Sequence, residues 1–324
     1  MKLSVCVPHY NEKFDTCRFL FDTLAVQRGI DFSEIEVLIG NDGSEKHLRI
    51  NQLEGYPYRV TVYNLSHKGV SATRNALLDK AKGEYVMFCD CDDGFCQTYG
   101  LHLLFAKMKE KPDVIISSFV EENIQDGKFL LIRHDNDVQF IHGKAFRKEF
   151  LVKKDIRFKD ELLIHEDGYF NNIVCNEAET YANIENPFYV WRWNDESICR
   201  KEDGELFLMR TYPNLMATRD AVCEELKNRG FKDEYLDSVA KSLVDAYYEL
   251  QKPIYYDPMH KEERKLAEQS IQKFYQKYKK DFAKCDIKLI AEIMSISRTT
   301  AYKRGMQVEH STFPSFIKYL EGGK

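Results

Sequence analysis

The sequence predicts an α/β domain over residues 1–203, with a mixed, mostly parallel sheet flanked by helices, followed by an all-α region over residues 204–324. Three observations carry this reading. Short apolar runs of strand-forming residues alternate with helically spaced stretches through the first half. From Glu205 the spacing turns helical, with a linker bracketed by Pro253 and Pro258. The strand-like runs also end in turns that hold the polar and acidic residues, as expected where an open α/β sheet presents its carboxyl edge to a ligand.

Lys2 to Pro8 carries Leu3, Val5 and Val7 and reads as a first strand; it breaks at Pro8-His9-Tyr10-Asn11-Glu12, before helical spacing from Phe14 to Val26. Glu36 to Gly40 is a second strand, closed by Asn41-Asp42-Gly43-Ser44, a turn with a ready helix cap. Arg59 to Leu65 is a third. His67-Lys68-Gly69-Val70-Ser71 then opens a helix that runs to Lys82 and stops at Gly83. Tyr85 to Cys89 is a fourth strand, and Asp90-Cys91-Asp92-Asp93 follows it directly. Beyond Gly100 come a helix to Lys111, a strand over Asp113 to Ser118, and a hairpin from Val120 to Arg133 around Asp126-Gly127. His142 opens a short helix to Leu151, His165-Glu166-Asp167-Gly168 starts another helix, and Phe188 to Trp193 is a late strand.

Three carboxylates in four positions at a strand end repel one another and are costly to desolvate without a cation between them. A divalent metal holding a ligand's phosphates would satisfy them, because hard oxygen donors suit Mg²⁺ or Mn²⁺. A solvated acidic turn capping the next helix is the other reading of this stretch alone. Loops leaving the first, second and fourth strands share one sheet edge, which makes Tyr10, Asp42 and Asp90 neighbours.

Composition narrows the class. With 44% hydrophobic and 31% charged residues, 324 residues suit two domains at roughly 150 residues each. No apolar run approaches the ~20 residues that span a bilayer, and no signal peptide precedes the first strand, so a cytoplasmic location is expected. The nine cysteines include no C-x-x-C pair and read as reduced, buried thiols. The net charge of −5 is uneven: residues 255–324 hold 14 Lys and Arg against 9 Asp and Glu, whereas residues 1–254 hold 33 against 43. A basic tail suggests an anionic partner.

Pro8-x-Tyr10-Asn11, Asn41-Asp42-Gly43-Ser44, Gly69-Val70-Ser71-Ala72-Thr73-Arg74-Asn75 and Asp90-x-Asp92-Asp93 come in the order and spacing of family 2 glycosyltransferases. The chain resembles that family over roughly residues 2–200. The resemblance implies a GT-A fold, Rossmann-like in its nucleotide half. It also implies an inverting, metal-dependent enzyme that moves a sugar from a nucleotide diphosphate donor, UDP-linked by expectation, to an acceptor hydroxyl. It assigns Pro8, Tyr10, Asp42 and Arg74 to the nucleoside, Asp90 to the ribose or metal, and Asp92 to the metal, Mn²⁺ or Mg²⁺. Glu166 and Asp167 match the family's acidic pair at a helix start. Asp167 is the expected catalytic base and Glu166 shapes the donor-sugar or acceptor contact. Asp42 also reads as a turn residue beside Gly43, Arg74 as a surface side chain, and the acidic pair as a helix cap. Many relatives carry an acid where this chain has Asn41, and the His that some use as a third metal ligand is absent. Arg192, Ser197 and Arg200 fit the loop that closes over the diphosphate, and either Trp191 or Trp193 could stack on a sugar.

In the tail, Phe274, Tyr275, Tyr278 and Phe282 are expected to pack. Residues 289–304 look like a helix-turn-helix with Ser295 at the turn, which would place Ser297, Arg298, Thr299 and Lys303 on DNA. An ordinary helical bundle, which could pair two subunits, is the competing reading. The expected acceptor is a cell-surface glycan or lipid-linked sugar. A modified base in DNA, as in virus-type DNA modification, is the alternative, and a degenerate GT-A domain kept as a DNA-binding or scaffold protein is the third.

Overall fold

The computed structural model describes residues 1–45, 48, 50–125, 127–195, 197, 204–303, 306, 309, 310 and 311–322. The chain divides into two compact units, Met1–Asp195 and Glu196–Lys324.

The first unit is a nine-stranded mixed sheet with helices packed on it. Its elements run β1 (Leu3–His9), α1 (Phe14–Ala25), β2 (Ile35–Asp42), β3 (Arg59–Leu65), α2 (Val70–Lys80), β4 (Tyr85–Phe88), β5 (Gly94–Phe95) and α3 (Gly100–Met108). Then follow β6 (Val114–Gln125), β7 (Lys128–His134), β8 (Lys144–Arg147), α4 (Lys148–Lys153), α5 (Glu166–Glu177) and β9 (Tyr181–Trp191). The strands lie in the order β3-β2-β1-β4-β8-β6-β9-β5, with β7 paired outside β6. β3, β2, β1 and β4 are mutually parallel, β8 is antiparallel to both neighbours, and β6 and β9 are parallel. This is the GT-A architecture that the resemblance implied.

Burial explains the parallel half. Leu3, Val5 and Val7 of β1, and Ile35, Val37 and Ile39 of β2, are wholly removed from solvent, as strands covered on both faces must be. α2 crosses β2 so closely that a Cβ on Gly40 would sit 2.5 Å from Thr73 Cγ2. Only glycine permits that approach. The parallel register brings His9 opposite Asn41, so the turns after β1 and β2 meet. Beneath α5 lies an aromatic cluster in which Phe158 and Phe170 stack at 4.1 Å and Phe88 meets both edge-on. The expected hairpin is present as β6–β7, with Gln125 paired to Lys128 and Gly127 at φ +71; Asp126 itself lies outside the described residues.

The second unit contains α6 (Gly204–Arg229), α7 (Lys232–Glu249), α8 (Lys261–Phe282), α9 (Ile287–Lys303) and α10 (Phe313–Leu320). Met209, Tyr212, Cys223, Val239, Leu243, Ile271 and Phe274 form its interior. Tyr275 and Tyr278 are buried as packing residues, as expected. The helix-turn-helix reading is corrected here: residues 287–303 form one uninterrupted helix. Met294, Ser295 and Ile296 hold no glycine or proline, so nothing there breaks the backbone ladder. Ser297 is buried and donates to Asp245 at 2.7 Å, and Arg298 pairs with Glu309 at 2.6 Å. Both residues are therefore engaged within the bundle, and Arg304 lies outside the described residues. Among the described residues, no helix is long and apolar enough to cross a membrane.

Candidate active site

The site is built on the carboxyl ends of β1, β2 and β4, the first turns of α2, and the start of α5. Arg74, on the buried face of α2, links the acidic segments. Its Nη2 donates to Asp90 Oδ1 at 2.8 Å and its Nη1 to Glu166 Oε1 at 2.6 Å, while the guanidinium lies 5.3 Å from the centre of the Phe158 ring. The acids after β4 and the acids opening α5, far apart in the chain, are thus joined by one cation. α2 also fixes the loop before α5. Ser71 donates to the carbonyl of Leu162 at 2.9 Å, and Asn75 bonds Phe158 and Asp160. Asn75 therefore ties the loop together.

Electrostatics separates the acids into roles. Burial would raise Asp90, but the adjacent Arg74 outweighs it and holds this carboxyl below its ordinary range. Burial likewise opposes the charge on Arg74, and Asp90 and Glu166 more than compensate. Asp167 feels the charge of Arg74 as well, but there burial and Glu166 outweigh it. Burial and the neighbouring Glu166 push Asp167 up to about 7, and Oδ1 accepts the Gly168 N–H at 2.8 Å. Asp92 is also raised, by burial and then by Asp90; its Oδ2 accepts from Asn194 Nδ2 at 2.8 Å. Glu12, raised mainly by burial, feels the charge of Asp92 and adds a further acid to this rim.

Asp93 is of another kind. It is fully buried, with Oδ2 accepting from the Tyr189 hydroxyl at 2.5 Å and Oδ1 from the Arg192 N–H at 2.9 Å. It acts as a strut between the β4 loop and β9. Ligand atoms of Asp90, Asp93 and His142 lie within 4.8 Å of one another, the one such His/Cys/Asp/Glu grouping among the described residues. His142 packs against Tyr189 and Trp191, and burial pushes its imidazole down to about 4. Carboxylates beside one another, as hard oxygen donors, fit a divalent cation. With both Asp93 oxygens engaged, Asp90 and the half-buried Asp92 are the acids left to offer theirs.

At the ends of β1 and β2, Asp42 is buried, and its carboxylate accepts the N–H groups of Lys68 (2.8 Å) and Gly69 (2.9 Å). These bonds reach 26 and 27 positions along the chain and tie the end of β2 to the start of α2. Tyr10 is exposed and stacks on His67 with ring centres 4.3 Å apart. Pro8 is half-buried at the end of β1, paired with Gly40. Asn41 bonds Asn64 and accepts the Ser44 N–H, a structural use of this position. Arg192 lies over the Phe19 ring at 4.1 Å. Trp191 packs on Phe140 and His142, Trp193 Nε1 donates to Asp195 at 2.6 Å, and Arg200 lies outside the described residues.

Glu12, His67, Asp93, His142 and Tyr189 were not singled out from sequence as site residues. Asp93 stood in the acidic motif and His67 two residues before Gly69, which was the available signal. Nothing local marks Tyr189, which meets Asp93 from 96 positions away.

A mixed sheet whose carboxyl edge carries one acidic cluster, flanked by helices, is the GT-A type of fold. Residues 4–168 match the profile of glycosyl transferase family 2, and the chain belongs to that family. It is similar to the uncharacterized glycosyltransferase EpsJ of Bacillus subtilis, 24% identical over 222 residues, which cover 60% of this chain and 62% of EpsJ. It is also similar to the minor teichoic acid biosynthesis protein GgaB of Bacillus subtilis, 25% identical over 211 residues, which cover 60% of this chain and 23% of GgaB. The chain thus spans less than two thirds of the length of either relative. Among solved structures, S. aureus TarS 1–349 shares the fold with a TM-score of 0.66 at 18% identity, over 99% of this chain and 92% of that one. TarS 1–349 has also been solved with UDP-GlcNAc (TM-score 0.52, 18% identity, 86% of this chain and 92% of that one).

Proposed function

We propose that the protein transfers a sugar, with inversion, from a nucleoside diphosphate donor to a hydroxyl of a cell-surface glycan or lipid-linked saccharide. The observation that carries this reading is the Asp90–Arg74–Glu166 bridge, which puts the donor-side acids and Asp167 in one electrostatic unit. Tyr10 and Asp42 take the nucleoside, and UDP is the favoured carrier because the TarS fold holds UDP-GlcNAc. Asp90 and Asp92 hold a divalent cation, which when bound neutralises charge on the departing diphosphate.

Asp167 does the proton work. As the acceptor oxygen attacks the anomeric carbon, its proton passes to the Asp167 carboxylate and the bond from carbon to diphosphate oxygen breaks. A base with its pKa near neutrality is partly ionised at working pH and still basic enough to take that proton. At the start of α5 its Oδ1 accepts the Gly168 N–H at 2.8 Å, a bond that favours the ionised form. Glu166 is held by Arg74 and so orients the pair. The surface-glycan acceptor rests on the similarity to GgaB, a minor teichoic acid biosynthesis protein.

The test is a thermal-shift screen of nucleotide sugars with Mn²⁺, followed by transfer assays on teichoic acid, polysaccharide and lipid-linked acceptors. Stabilisation by one donor class and product formation with one of these acceptors is expected. No shift with any nucleotide sugar would remove the reading.

A further inference from the structure

We infer that His67 occupies the nucleobase position itself and competes with the base for both of its contacts; this rests on the donor reading above. A nucleobase at this edge needs a flat surface to stack on and an acceptor for a ring N–H. Tyr10 supplies the first and Asp42 the second. The His67 imidazole already makes both contacts. It lies on Tyr10 with ring centres 4.3 Å apart and planes 18° from parallel, and its Nδ1 stands 2.9 Å from Asp42 Oδ2. The same nitrogen is 3.0 Å from the Asp42 carbonyl oxygen. One planar ring with one N–H thus reproduces what the base would do.

The carboxylate has little capacity to serve both. Oδ1 holds the Lys68 N–H, and Oδ2 holds the Gly69 N–H together with His67. A carboxylate offers about four lone-pair sites, so only one remains, on Oδ1. The backbone donors cannot withdraw without unwinding the start of α2. The imidazole can, because its side chain is 56% exposed and only its own torsions need change. The His67 backbone passes close to Gly43 (φ +70), where a Cβ would lie 2.9 Å from the His67 nitrogen, and need not move for the ring to turn. The nucleotide must therefore turn the ring away, and its apparent affinity is lowered by the fraction of molecules in which His67 holds the place.

Calorimetric titration of the full chain and its His67→Ala variant with UDP tests this. The stack and hydrogen bond of an exposed imidazole are worth on the order of fivefold, so H67A should bind UDP about fivefold more tightly. In the unsubstituted protein, the imidazole C–H resonances assigned to His67 by their loss in H67A should move on UDP addition. Equal or weaker binding by H67A, with the parent protein binding UDP, overturns the inference and leaves the donor reading standing. Failure of both proteins to bind UDP, GDP or TDP removes the donor reading and this inference with it.

Discussion

Replacing Arg74 by methionine tests whether the site is held by one buried cation. Methionine keeps most of the volume against Phe158 and removes the charge. The Arg74 side chain is 4% exposed, Glu166 13% and Asp90 34%, with bonds of 2.6 and 2.8 Å. Removing one member of a buried ion pair costs about 3–5 kcal/mol, because the partners keep an uncompensated charge. Water reaching Asp90 offsets part of this, so about 3 kcal/mol is expected. For a unit of this size that corresponds to a melting temperature lower by about 6–12 °C. The loss should depend on pH. In the parent protein Arg74 depresses the Asp90 pKa, so its contribution is complete above the ordinary carboxylate range and disappears only in stronger acid. In R74M the orphaned carboxyls take up protons as pH falls, and the deficit shrinks. Scanning calorimetry at pH 8 and pH 5 reads both effects. A decrease under 2 °C at pH 8, or the same decrease at both values, would refute the account of Arg74 as the electrostatic hinge.

Other outcomes follow from the same geometry. Because Asp167 must be ionised to accept a proton, kcat/KM should fall about tenfold per pH unit below about 7, read from initial rates across pH 5–9; a flat profile contradicts the assignment. Gly43→Ala places a Cβ against the His67 backbone at a φ of +70 and should destabilise the protein by about 1–3 kcal/mol in urea unfolding, whereas a neutral change would mean that the turn relaxes freely. Asp92→Asn should lower Mn²⁺-supported transfer by at least about a hundredfold with little loss of UDP affinity, measured by parallel rate and binding assays; retained turnover would take Asp92 out of the cation site.

Much of the parallel half was legible in the sequence, because each strand is an apolar run closed by a turn whose residues have strong local preferences. The motifs after β1, β2 and β4 stand at one edge because register alone carries them there: Leu3, Ile35 and Tyr85 start in line. The other half was less readable. β5 is two residues long, too short for any periodicity, and it exists only through pairing with β9. The Tyr189–Asp93 bond and the His142 packing join residues with no sequence signal between them. Arg74 reads equally well as a surface residue on an amphipathic helix until its two acidic partners fix it in the interior. The tail shows the opposite failure. A pattern of Ala, Ser and Arg spacings suggested two helices, yet backbone propensity through Ser295 favours continuity, and packing against α7 holds α9 as one rod.

The most direct test compares the parent protein with Asp167→Asn on the donor and acceptor found in the screen, with UDP binding measured on both. Transfer should drop by about 10²–10⁴ while UDP affinity stays within twofold, since the amide keeps the shape but cannot take a proton. Parent-like turnover in the amide variant would mean that the acceptor is deprotonated elsewhere.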